Sequence, residues 1–433
     1  MKPYMKKCLL SAVFACLCAM AAVAQQDSAV LSLSLKDAEE YAVAHNRSIQ
    51  NASLSVRQAE AKRWQSIASM LPQVDASLSY MNMCGYKMNM GMMEMEMPPY
   101  GSLSLTASVA VNGQMIMAAL LSDLSIEMSD LAVKKTEQLI SSNVTALYVS
   151  ILATQESLEL LKGNLGNLQD IHKMQSKAVE VGAAEQVDAD QIAVQLATIQ
   201  NTINNVDRQV QILYNSLRLL LGVDVRTELK LTQTLDDVVN TETIMQLLSN
   251  ELNLGDNYDY QLAQKQLELA KQQKTLAWMA YTPTLSAYYQ YSDRTYFGAK
   301  EGFNMTPPNT VGVTLSIPIW SSGVRAAGVT EKKRAYEASQ NSLDDTRDQL
   351  ETSDSQYRYN LTTSYEDYLV QKDNIEVSQR VYDNIANKYK YGYASGLDLT
   401  NASTTLINAQ NSYVSSLTQM VSAYVNLKNL LNK

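Results

Sequence analysis

Nine apolar residues between Asp188 and Leu221 recur at alternating steps of four and three: Ile192, Leu196, Ile199, Ile203, Val206, Val210, Leu213, Leu217 and Leu220. That rhythm is a heptad seam, which a chain buries by pressing one long helix against a neighbour with a left-handed supercoil. Gln, Asn, Thr, Asp and Arg fill the positions between, as suits a helix that meets water on its other faces. Leu221-Gly222 reads as the C-terminal cap.

The stretch occurs twice. An offset of 210 residues carries Ile192, Ile199, Val206, Leu213 and Leu220 onto Ala402, Ala409, Ser416, Ala423 and Leu430, and Gly182 onto Gly392. One row of the seam is thus bulky in the first copy and small in the second, so the two helices are expected to pack at different distances. Internal duplication fixes the plan of the fold.

Proline punctuates that plan. After Pro3, every proline lies in one of two windows, about 70–112 and 280–320, leaving the rest free for long helices. A helix is predicted from Leu35 to Ser69, ended by Leu71-Pro72. Gln73–Tyr80 and Ser102–Asn112 alternate with period two and read as strands joined by a loop, Met81–Gly101. A helix of about 100 Å follows from Met115 to Val181, its seam running through Leu158, Leu161, Leu165 and Leu168 to His172. The chain turns at Gly182-Ala183-Ala184. Gly222–Asp256 is an unrepeated connector with a short helix at Thr241–Asn253. The second half repeats the order: helix Asn257–Met279, strands Thr284–Ser292 and Val311–Ile319, and a helix of about 100 Å from Val324 to Tyr391. The predicted segments are therefore a signal peptide 1–24, a first repeat 25–221, a connector 222–256 and a second repeat 257–433.

Lys2, Lys6 and Lys7 precede an apolar run, Cys8–Ala21, and a small-residue cleavage site at Ala22-Val23-Ala24, the pattern of an export signal. Cys16 is a candidate for lipid attachment. Net charge is −9, and cleavage would remove three lysines and no acid, which argues against a nucleic-acid partner. Cys84 is the one cysteine outside this segment. No later run is apolar enough for a membrane-spanning helix, so entry into a membrane would fall to strands. Four strands of about 9–11 residues, each with one apolar face, have the length for an outer membrane. They cannot close a barrel, and open edges in lipid strand their backbone groups, so copies of the chain must share one barrel. Two, three or four copies give eight, twelve or sixteen strands. Trp64, Tyr80, Trp278, Tyr281, Tyr288, Tyr289, Tyr291 and Trp320 gather near strand ends, as in an interfacial belt.

In this order of segments the chain resembles the TolC-like outer-membrane efflux family. The resemblance rests on Leu35…Ala38…Ala42…Asn46, on Leu71-Pro72-Gln73-Val74, on the duplicated halves, and on the turns Gly182-x5-Asp188 and Tyr389-x2-Gly392-x5-Asp398. Asn46-Arg47 and Asn257-Tyr258 stand where the family usually has Asn-Pro. The resemblance implies a mainly α fold with membrane β-structure. An antiparallel α-helical barrel would continue into a shared β-barrel, four strands per protomer, in a homotrimer. It implies a passive exit duct across the outer membrane and periplasm, working with a periplasmic adaptor and an inner-membrane pump, without a cofactor. By position, the gate residues would be Tyr389, Asp398 and Asn401, with Asp188 and Gln191 in the first half. The adaptor-contact tips would be Gly182, Ala183, Gly392 and Tyr393. Asn401 is not acidic, so a ring of paired carboxylates is not fully provided for.

Two readings compete for Asp398: a ring of negative charge, or a helix cap. Met88, Met90 and Met92 crowd the first hairpin loop with Cys84, a soft donor set that suits Cu(I) or Ag(I), or else adaptable packing. With only His45 and His172, no metal-ligand cluster and no phosphate loop, an enzyme is not expected. The rival class, a secreted coiled-coil adhesin or fibre, explains the heptads but not the four matched strands.

Overall fold

The computed structural model describes residues 30–89, 94–96, 98–182, 184–238, 241–297 and 307–432. The predicted signal segment, including Cys16, lies outside them, as do Ala183, Met90 and Met92. The chain forms two compact units, and each draws on both halves of the duplication. One takes the chain up to Gln50, Thr136–Leu252 and Glu351 onward; the other takes Asn51–Lys135 and Asn253–Leu350.

The first unit begins with β1 (Leu31–Leu33) and α1 (Leu35–His45). Ser34 and Asp37 form a reciprocal capping box at the start of α1. The helix predicted over Leu35–Ser69 is broken at Asn46, where α2 (Arg47–Ala68) starts afresh. Asn46 leaves the helical region (ψ 130°) and is buried. Its Nδ2 donates to the Leu220 carbonyl at 2.7 Å and its Oδ1 accepts from Ser48 N–H at 2.8 Å. The break thus exchanges one helix bond for a tie to α4 (Gln186–Leu221), which ends at Gly222 in the left-handed region. A Cβ on Gly222 would stand 2.7 Å from the His45 carbonyl oxygen, so this close approach needs glycine.

α3 (Gly113–Glu180) and α8 (Val324–Lys390) each run through both units as single helices, within two residues of their predicted bounds. In the connector, β6 (Leu229–Leu231) pairs in parallel with β1. The Tyr148 hydroxyl donates to the Leu33 carbonyl at 3.0 Å and anchors that pair. α5 (Leu235–Val238) and α6 (Thr241–Ser249) follow. Arg358 on α8 holds α6 by its C-terminal end: Nη1 and Nη2 donate to the carbonyls of Leu248 and Asn250 at 2.7 and 2.6 Å. Asp354 neutralises that guanidinium at 2.8 Å. Orphan carbonyls at a helix end are satisfied here by a cation, the sign the helix dipole favours.

α9 (Gly396–Leu431) packs in the same core as α3, α4 and α8, where Leu168, Ile192, Ile199, Tyr382, Leu399 and Leu406 form one buried cluster. The α3 seam slips by one residue at its end. Ile171 is buried and His172 only half-buried, so the larger apolar side chain takes the inward position expected for the histidine.

The second unit holds a four-stranded antiparallel sheet in the order β2 (Gln73–Met81), β5 (Tyr100–Val111), β7 (Thr284–Tyr296), β8 (Asn309–Ser316). A small hairpin, β3 (Lys87–Asn89) and β4 (Glu94–Glu96), lies within the first loop. β7 runs four residues beyond its expected end because Asp293–Tyr296 keep pairing with β5. β8 stops before Pro318, which cannot donate to a ladder. Register aligns the faces. Val74, Ala107, Tyr289 and Val311 form one cross-strand row, and Val109, Ala287 and Val313 the next. The opposite face carries rows such as Asp75, Thr106, Gln290 and Thr310. One face is therefore apolar and the other polar, yet the apolar face is bare: Leu78 is 83% exposed, Val74 72% and Val311 75%. Beside the sheet, α7 (Tyr258–Trp278) starts on Asn257, whose Oδ1 accepts from the Asp259 and Tyr260 N–H groups. Ion pairs join Arg63 to Asp123, Lys135 to Asp259 and Lys265 to Glu127.

Candidate functional site

Two helix–turn–helix tips lie in the first unit, one between α3 and α4, the other between α8 and α9. Each turn is made by a glycine in the left-handed region, Gly182 (φ 71°) and Gly392 (φ 79°), with no atom close to either Cα side. The second turn is closed further by Tyr393 N–H donating to the Lys388 carbonyl at 2.8 Å, while the Tyr393 ring stands in solvent. Asp188, Gln191, Asp398 and Asn401 follow these turns in the first two turns of α4 and α9. Met88 and Cys84 sit in a different unit; Cys84 is a free, exposed thiol.

The structure brings Tyr389, Asp188 and Gln191 together around Gly396, a residue that sequence reasoning missed. A Cβ on Gly396 would lie 3.0 Å from Gln191 Oε1, 3.8 Å from Asp188 Oδ1 and 3.9 Å from Tyr389 Cε2. Its lack of a side chain is what lets the start of α9 approach α4. Tyr389 is buried, and its hydroxyl has no hydrogen-bond partner. Burial, and then the Asp188 carboxylate, push its phenol up to about 12. A little above, Gln195 Nε2 donates to Ser403 Oγ at 2.8 Å in a buried link between α4 and α9.

Asp398 and Asn401 stay apart from this cluster, both exposed. Asp398 is a helix cap. Ser395 Oγ accepts from Asp398 N–H at 3.1 Å, and Asp398 Oδ2 accepts from Ser395 N–H at 2.9 Å and from its hydroxyl at 2.7 Å. These bonds hold its carboxyl below the usual carboxylate range, so it is ionised at neutral pH. The capping role does not remove the charge that a ring would need. At the first tip Glu185 occupies the capping position without a side-chain cap bond.

The outer membrane efflux protein family model matches residues 40–223 and 251–433, nearly all of both repeats. The chain belongs to the outer membrane efflux protein family. This is a family of channels rather than of enzymes, and the chain is an efflux exit duct. Its fold agrees with solved outer-membrane proteins. The channel CusC is 18% identical, with 92% of this chain and 91% of that one covered at a TM-score of 0.72. VceC from Vibrio cholerae is 17% identical, covering 92% and 95% at 0.71. The Campylobacter jejuni outer membrane channel CmeC is 15% identical, covering 92% and 85% at 0.73. No curated protein matches by sequence. Among the described residues no helix is long and apolar enough to cross a membrane, and no group of His, Cys, Asp and Glu is arranged to hold a metal ion.

Proposed function

We propose that three copies of this efflux duct share one twelve-stranded barrel in the outer membrane, with the helices forming a tunnel in the periplasm. The observation that carries this is the open sheet: among the described residues it has four strands, one bare apolar face, and two unpaired edges on β2 and β8. In lipid the apolar face is solvated, but an unpaired edge costs several kcal/mol per stranded group, about the cost of burying an amide without a partner. β2 and β8 run in opposite senses, so the β8 edge of one protomer continues into the β2 edge of the next without breaking the antiparallel pattern. Three copies make a barrel wide enough for a passage, whereas two would fill with side chains.

In this reading the tips are the closed periplasmic end. Tyr389, Asp188 and Gln191 latch α9 to α4 around Gly396, and Asp398 with Asn401 lines the constriction. Gly182, Gly392 and Tyr393 face a periplasmic adaptor that connects to an inner-membrane pump. Support for the contact comes from the tight glycine turns and the bare Tyr393 ring.

Native mass spectrometry of detergent-extracted protein tests the assembly. Three chains per particle, lost when a proline replaces Val313 on β8, whose N–H faces the open edge of the sheet, are expected. A monomer, or protein that stays dispersed without detergent, would sink the shared barrel.

A further inference from the structure

On the polar face of the sheet, only two described residues carry charge, Asp75 on β2 and Arg294 on β7. Arg294 is half-buried and makes no hydrogen bond or ion pair among the described residues, and its Nε is sealed from solvent without a partner. Its guanidinium lies 4.4 Å from the centre of the Tyr100 ring, which Tyr296 flanks at 5.7 Å. Across the strands its same-face neighbours are Ser102 and Ser79, not acids. Asp293 points to the apolar face, and Asp75 lies about 13 Å away along the strands, four residues on. A guanidinium held over an aromatic ring, with its Nε left without a partner, is arranged to receive an oxyanion.

Building on the shared trimeric barrel, we infer that three Arg294 side chains form a cationic ring inside the outer end of the duct and make a binding station for multivalent oxyanions: phosphates, carboxylates or sulfonates. β2 leaves the helices at Gln73 and β7 ends at Tyr296, so Arg294 belongs to the far end and Asp75 to the near one. Twelve strands tilted as in outer-membrane barrels enclose a cylinder about 24 Å across. A guanidinium reaching inward leaves the axis within about one screening length at physiological salt, about 8 Å, and well outside the roughly 3 Å of molar salt. Tyr100 positions the cation, with its hydroxyl 3.3 Å from Met81 Sδ.

The test is planar-bilayer conductance of the trimer with inorganic tripolyphosphate added on the outer side. Wild type is expected to be blocked at 0.15 M KCl and not at 1 M. Arg294→Gln should raise the half-blocking concentration about tenfold, and Arg294→Lys should restore most of the block. Equal block in wild type and Arg294→Gln, both conducting, would overturn the station while leaving the duct intact. A wild type that forms no channel would overturn the duct reading and the station with it. If Arg294→Gln fails to assemble, Tyr100→Leu serves instead: it keeps the charge, frees its position, and should weaken block severalfold.

Discussion

The duplicated helices α4 and α9 have the same length, 36 residues each, and the same seam spacing, but they do different work. α9 buries almost twice as many residues as α4. Its alanines and serine at 402, 409, 416 and 423 admit neighbours closely, while α4 leaves Val194 68% and Leu219 77% exposed along a second row. α9 also starts from a complete capping box, and α4 from an uncapped Glu185. A duplicated element thus became a fixed inner strut in one copy and a looser helix with a spare apolar row in the other. In the proposed trimer that row is the one available to a neighbouring protomer.

The comparison can be broken at matched positions. Leu406→Ala, at a site 1% exposed, is expected to cost about 2–5 kcal/mol in guanidinium unfolding. Leu196→Ala, its half-buried counterpart on α4, should cost clearly less; equal losses would mean the two helices are equivalent. Next in size are the glycines. Gly222→Ala suffers both a left-handed backbone and the His45 carbonyl, about 3 kcal/mol. Gly182→Ala meets only the backbone penalty, about 1 kcal/mol, because nothing lies near it. Ser395→Ala should lose about 1 kcal/mol from the second tip, and Glu185→Ala almost nothing from the first.

Smaller effects depend on pH. Because the Asp398 carboxyl is held below its ordinary 3.8, its stabilisation of the second tip is present above that value and fades as pH falls below it. Amide exchange around Leu399, corrected for intrinsic rates, should speed up there in wild type and lose that dependence in Asp398→Asn. Tyr389 acts in the opposite direction: its neutral phenol favours the fold up to pH 10, and that contribution drains away towards about 12. Tyr389→Phe should remove this alkaline loss. In conductance, Asp398→Ala should reduce cation preference if three of these carboxylates line the constriction.

The long-period features were legible in the sequence because each repeats many times. Heptads from Ile192 to Leu220 and alternation from Leu103 to Val111 locate helices and strands within a few residues. Features made by single non-local bonds were not. The break at Asn46 depends on a carbonyl 174 residues away, and the parallel pairing of Leu31–Leu33 with Leu229–Leu231 is too short to show a period. His172 was misplaced because a strict 4-3 count cannot see a one-residue slip at a seam's end. Gly396 carried no motif; only the approach of Gln191 and Asp188 gives it meaning.

Neither compact unit is encoded by one continuous stretch: each needs segments from before and after the connector. During synthesis the first half therefore emerges with one hairpin of the sheet and one pair of long helices, and nothing to cover their apolar rows. Leu427, Leu430 and Leu431 are the last residues to join the core of the first unit. A chain laid out this way cannot complete either unit from its first half alone. The first unit stays incomplete until α9 is made.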